Sequence, residues 1–194
     1  MKEIIVGITG ASGAAYAVRL LKFLHEKGIL THLTITEAGA IVLQKELGVR
    51  MDLQNPDLSE LLGGDANVRY HHYSDVAAGI SSGTCRAEAM VVVPCSMNSL
   101  GAIAGGLAGN LIERAAAVML KEGRPLILVP RETPLSIIHL QNMLRVGEAG
   151  ACVLPAMPGF YGRPKRVDDI IDFIVGKILN RLGIENSLVA YDAE

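Results

Sequence analysis

An arginine and a glutamate stand side by side between two prolines in Pro130-Arg131-Glu132-Thr133-Pro134, directly after the apolar run Leu126-Ile127-Leu128-Val129. The run reads as a buried strand, and the prolines stiffen the segment after it and keep a helix from starting early. In open α/β sheets ligands sit beyond the carboxyl ends of the strands. The pair is therefore either a rigid ligand grip or a solvated loop carrying an ordinary surface ion pair.

Other residue groups with chemical potential lie upstream. Gly7-Ile8-Thr9-Gly10-Ala11-Ser12-Gly13 ends the first apolar run. Its glycines permit a tight turn that aims N–H groups at an anion, and Ser12 adds a hydroxyl. The pattern is neither GxGxxG nor a Walker A loop, and a plain strand-to-helix turn capped by Ser is the competing reading. Cys95-Ser96-Met97-Asn98-Ser99 follows another strand; its hydroxyls and amide suit a planar ring or a phosphate, and Ser96 equally suits a helix N-cap. Cys95 has no neighbouring base and reads as a small buried residue. Arg114 and Lys121, seven apart, share one face of a helix whose intervening residues are almost wholly apolar. They need anions: Glu113 and Glu122 on the helix itself, or a phosphate-bearing ligand or subunit contact. Asp168 and Asp169 open the last helix and suit its dipole. The histidines show no metal-binding spacing, and His139 reads as structural. Tyr161-Gly162-Arg163-Pro164-Lys165 matches the Tyr-x-x-x-Lys pair of short-chain dehydrogenases, but Gly162 and Pro164 oppose the helix that pair requires.

The elements that must hold these residues alternate. Strands are predicted at Glu3–Thr9, Thr31–Thr36, Val68–Tyr73, Ala89–Pro94, Pro125–Val129 and Ala151–Leu154. Helices are predicted at Ala14–Lys27, Ala38–Leu47, Met97–Gly105, Asn110–Glu122, Ile137–Glu148 and Val167–Leu182, with a polar connection over Met51–Asn67. Near-continuous apolar strands such as Met90-Val91-Val92-Val93 call for burial on both faces, so the fold class is α/β: a doubly wound parallel sheet in three αβα layers. The chain of 194 residues is expected to form one domain, residues 1–184, with a tail at 185–194. Only 4% of residues are aromatic, so the core must be aliphatic, and the net charge of −2 gives no footprint for nucleic acid. No run spans a bilayer, and three cysteines without a CxxC fit a reducing cytoplasm. A mean hydropathy of +0.34 suggests apolar surface covered between subunits.

Taken in order, these segments resemble one family. Gly10-Ala11-Ser12-Gly13, Ser82-Gly83-Thr84, Pro94-Cys95-Ser96-Met97, Arg114-Ala115-Ala116, Leu120-Lys121-Glu122, Arg131-Glu132-Thr133-Pro134-Leu135, His139-Leu140 with Asn142-Met143, and Pro158 with Phe160-Tyr161 are similar to the UbiX-like flavin prenyltransferases, from residue 2 to about 184. The resemblance implies a flavodoxin-like (Rossmann-like) domain assembled into trimers and a homododecamer. It implies a metal-independent transferase that joins a dimethylallyl group from dimethylallyl monophosphate to N5 and then C6 of reduced FMN, in a site shared between subunits. The prenylated FMN passes to a UbiD-like decarboxylase.

Residue by residue, the resemblance implies that Gly10, Ala11, Ser12, Thr36, Ser96, Met97, Asn98, Ser99, Arg114 and Arg131 bind FMN. Lys121, Arg131, Glu132, Tyr161 and Lys177 bind the prenyl phosphate, and Ser12, Glu46, Lys121 and Glu132 take part in the chemistry. Thr36 stands where relatives usually carry Ser, and Lys177 where many carry Arg. The Trp common near their C-terminus is absent, Tyr191 being the nearest aromatic. The alternatives are an FMN-dependent decarboxylase of the cysteine-decarboxylase superfamily, which shares Pro-x-Ser-x-Asn but needs a His that Ala78–Gly83 lacks, and a non-catalytic flavin-binding protein.

Overall fold

The structure, a computed structural model, describes residues 3–62 and 67–188. The apolar runs form β1 (Glu3–Ile8), β2 (Leu30–Ile35), β3 (Val68–Tyr70), β4 (Ala89–Cys95), β5 (Leu126–Pro130) and β6 (Cys152–Val153). They make one sheet of order β3-β2-β1-β4-β5-β6, parallel at every pairing. The helices are α1 (Ala14–Glu26), α2 (Glu37–Leu47), the short α3 (Ser59–Leu62), α4 (Met97–Ala104), α5 (Leu111–Lys121), α6 (Ile137–Glu148) and α7 (Val167–Arg181).

Strand alternation sorts the core into two layers. Ile4, Val6, Ile8, Val91, Val93, Ile127 and Val129 pack against α1, α2 and α7. Ile5, Met90, Val92, Cys95, Leu126 and Leu128 pack against α4, α5 and α6. Gly7 lets α5 come close, since a Cβ there would lie 3.2 Å from the Ile112 side chain. The predicted aliphatic, three-layer arrangement is thus what the chain adopts.

Element ends differ from the sequence reading by a residue or so, except around β3. That strand ends at Tyr70 rather than Tyr73, because the chain turns at once, with Asp75 N–H donating to His72 C=O. A single 3₁₀ turn at Gly79–Ser81 has no counterpart among the predicted elements. The predicted connection over 51–67 holds α3, while residues 63–66 and Tyr191 lie outside the described residues.

Chain order makes one position special. From β1 the chain winds out to β2 and β3; it then returns to place β4 on the other side of β1. Neighbouring strands there send their following segments in opposite directions, and this opens a crevice beyond their carboxyl ends.

Candidate active site

The crevice is built by two loops tied together. Thr9, buried after β1, donates its hydroxyl to Pro94 C=O at 2.8 Å and accepts from Ser96 N–H at 2.7 Å. This fixes Gly10-Ala11-Ser12 beside the start of α4. Gly10 also packs on α2, where a Cβ would lie 2.5 Å from the Ala38 Cβ. Thr36 caps α2 by accepting from Gly39 N–H, and Ser96 caps α4 by accepting from Ser99 N–H. The N-cap reading of Ser96 is therefore correct. A cap satisfies only part of a helix N-terminus, so the first amides of α2 and α4 both face the crevice rim. Met97 and Ser99 are buried and Asn98 is exposed.

The third helix N-terminus is handled differently. Gly13, not Ser12, occupies the α1 N-cap, in left-handed backbone at φ 118°. No local side chain caps it. Instead the Glu46 carboxylate, from the far end of α2, accepts from Gly13 N–H at 3.0 Å and Ala14 N–H at 2.9 Å. The amides that the sequence reading offered to a ligand anion are thus bound to an internal one, and the Ser-cap alternative is also corrected. Burial alone would raise the Glu46 carboxyl. Hydrogen bonds from Ser12, Gly13 and Ala14, together with the Arg131 charge, outweigh it and hold the group below its ordinary value. Burial, and then the Glu46 charge, raise the Tyr16 phenol, with Arg131 pulling the other way.

Arg131 and Glu132 do not form the surface ion pair considered from sequence; among the described residues the two side chains are not salt-bridged. Glu132 turns back to accept from Thr133 N–H at 2.9 Å. Arg131 is exposed just past β5, and its charge is felt at Glu46 and Tyr16. One patch of the protomer thus joins Gly10, Ala11, Ser12, Thr36, Glu46, the start of α4 and Arg131.

The remaining predicted residues lie elsewhere. Arg114 and Lys121 do share a face of α5, lining a cleft of about 590 Å³ with Ser81, Ser82, Gly83 and Ala117. Glu113 is not their counter-ion: it is buried and accepts from Gly109 N–H and the Asn110 side-chain amide. Glu122 is the counter-ion of Lys121 alone, meeting its ammonium at 2.6 Å. Lys121 precedes β5 and Arg131 follows it, so the five residues of that strand hold them about 17 Å apart along the sheet. Tyr161 and Lys177 form a third patch on the opposite face. The Tyr161 ring meets Phe173 edge-on at 5.8 Å, and the Lys177 ammonium stands 5.4 Å over the same ring. Lys177 is thus a cation on an aromatic face bordering a groove of about 490 Å³, not merely a solvated charge. The segment 161–165 is not helical, with Arg163 at φ 49°, which removes the dehydrogenase match.

Sequence reasoning missed Thr9, Tyr16 and Arg124 as residues that build these patches. Cys95 is fully buried and its thiol is pushed up to about 12 by burial, as suits a packing residue. Among the described residues no group of three or more His, Cys, Asp or Glu is placed to hold a metal, and no helix is long and apolar enough to cross a membrane.

A doubly wound sheet with three helix N-termini around its switch point defines a flavoprotein-type fold, and residues 1–179 match the Flavoprotein family model. The chain is 52% identical over 184 residues to the flavin prenyltransferase UbiX of Halalkalibacterium halodurans, covering 94% of this chain and 89% of that protein. A dodecameric FMN-dependent UbiX-like decarboxylase from Escherichia coli O157:H7 superposes with TM-score 0.88 at 41% identity, covering 97% of this chain and 98% of that one. AnUbiX (PadA1), solved in complex with FMN and dimethylallyl pyrophosphate, superposes with TM-score 0.86 at 38% identity, covering 98% and 99%. The chain belongs to the UbiX-like flavin prenyltransferase family.

Proposed function

We propose that this protein transfers a dimethylallyl group from dimethylallyl monophosphate to N5 and C6 of reduced FMN, without a metal. The reading is carried by 52% identity over 94% of the chain to a flavin prenyltransferase, together with the crevice that gathers Ser12, Glu46 and Arg131. That crevice fits FMN: Gly10 and Gly13 keep the backbone low, and the N-termini of α2 and α4 offer amides to a phosphate or ring edge. FMN supplies the nucleophilic ring atoms; the protein supplies charge, protons and dryness. Gly10, Ala11, Ser12, Thr36 and Ser96 through Ser99 hold the flavin, with Arg114 and Arg131 as cations. Lys121, Arg131 and Lys177 stabilise the charge that develops on the departing phosphate, and Tyr161 donates to it. Ser12, whose hydroxyl helps hold the Glu46 carboxyl low, relays a proton to that carboxylate, and Glu132 handles another at ring closure. Apolar walls shield the allylic cation from water.

The working enzyme is a homo-oligomer, built as trimers within a dodecamer, in which the Lys121 patch of one copy meets the Arg131 patch of another, a reading supported by their placement at opposite ends of β5. Residues 1–184 act as one flavin-binding domain with residues 185–194 as a tail. The enzyme works in the cytoplasm, and its product serves a UbiD-like decarboxylase. Incubation with reduced FMN and dimethylallyl monophosphate, followed by mass spectrometry of the flavin, tests this. One added five-carbon unit is expected; unmodified flavin beside an active control prenyltransferase overturns it. The decarboxylase alternative needs a His where this chain has the 3₁₀ turn and buried Ile80.

A further inference from the structure

Arg124 lies just beyond α5, past a glycine turn at Gly123 with φ 64°. Its guanidinium reaches back to a segment without regular structure. Nη2 donates to Gly83 C=O at 2.7 Å, and Nη1 donates to Cys85 C=O at 2.7 Å and Ala87 C=O at 3.3 Å. The guanidinium meets these carbonyls from two coplanar nitrogens, whereas an ammonium carries its three donors on a single nitrogen and does not span the same spread. The consequence is close approach at Gly83. A Cβ there would lie 2.4 Å from Glu122 Oε1 and 3.0 Å from Lys121 Nζ. Neighbouring residues on a helix point apart, yet Lys121 and Glu122 meet at 2.6 Å at the end of α5. The Gly83 backbone packs against the pair, and Lys121 lines the cleft together with Ser82, Gly83 and Arg114.

We infer that Arg124 is a positioning residue for the prenyl donor: by anchoring residues 83–87, it holds Lys121 where the donor phosphate binds. This rests on the reading of Lys121 as a phosphate ligand. Arg124 itself touches carbonyls, not substrate, so its effect is selective.

The test uses full-length protein loaded with oxidised FMN, so that the donor binds without reacting. Arg124→Gln is expected to weaken dimethylallyl monophosphate binding by about fivefold or more while FMN affinity stays within about twofold. Arg124→Lys is expected to behave like Arg124→Gln, and free guanidinium ion to restore donor binding in Arg124→Ala. Gly83→Ala, which leaves Arg124 in place but displaces Glu122, is expected to show the same selective loss and decides the matter if the Arg124 variants do not fold. Unchanged donor binding in Arg124→Gln and Gly83→Ala, equal loss of FMN and donor, or full rescue by Arg124→Lys overturns the inference. Lys121→Met separates the two layers: if it leaves donor affinity unchanged, the reading of Lys121 falls first. If it weakens donor binding and Arg124→Gln does not, only the role of Arg124 falls. Adding Arg124→Gln to Lys121→Met should cost nothing further, since the two act in series.

Discussion

Glu46, the penultimate residue of α2, closes the start of α1 by accepting from Gly13 N–H at 3.0 Å, across 33 residues of sequence. The same carboxylate accepts from Ala14 N–H at 2.9 Å and is held low with help from the Ser12 hydroxyl and the Arg131 charge. A helix terminus that binds ligand phosphates in other folds is here spent on a carboxylate beside the candidate reaction centre.

Acid should therefore weaken both fold and site through this group. Its carboxyl titrates below the ordinary value in the folded chain, so the unfolded chain binds more protons in the window between the two values. The stabilisation is complete above the ordinary glutamate range and is lost as pH falls through the lowered value. Solvent screens this exposed carboxylate, so Glu46→Gln should cost no more than about 1 kcal/mol at neutral pH. It should also flatten the acid limb of a plot of urea midpoint against pH. An acid limb identical to that of the unaltered protein would count against the cap.

Thr9→Val keeps the shape of the side chain and removes both of its bonds. Pro94 C=O loses one donor and Ser96 N–H is left without an acceptor, at a cost of about 2 kcal/mol. Because the two loops meet at the crevice, FMN affinity should fall in parallel. Urea denaturation and fluorescence titration with FMN measure the two effects.

Cys95 should resist alkylation. With its thiol pushed up to about 12 and its side chain fully buried, thiolate is negligible at about pH 8. Iodoacetamide followed by peptide mass spectrometry should label the partly exposed Cys85 and Cys152 well before Cys95, and label Cys95 only on unfolding.

The outer face of α6 carries Ile137, Leu140 and Leu144 at 70%, 47% and 62% exposure. At spacings of three and four they form one apolar stripe. Leu144→Lys should yield smaller assemblies by light scattering, and prenyl transfer should fall by more than about tenfold because the patches no longer meet. A full-sized assembly would exclude this face as a subunit contact.

Local features were legible in the sequence because their physics is local. Ser96 caps α4 through the residue three further on, as its type and place announced, and Met90 through Val93 announce a strand buried on both sides. The three-layer fold follows from such runs. What escaped reading acts over distance: Ser96 on Thr9 across 87 residues, Arg124 on Gly83 across 41. No periodicity marks a lone Thr or Arg whose partner is brought near only by the sheet. The site was legible as a set of residue types; its division into three patches was not, because that depends on which end of β5 each cation occupies.

That division has a genetic corollary. Since Arg131 and Lys121 sit at opposite ends of β5, the proposed catalytic unit would draw them from different copies of the chain. Two inactive alleles, one altered at Arg131 and one at Lys121, should complement each other when co-expressed, since mixed assemblies contain some pockets built wholly from intact patches. By the same logic, either allele expressed beside the wild type should silence pockets only in proportion to its share of the chains, because each pocket takes that residue from a single copy.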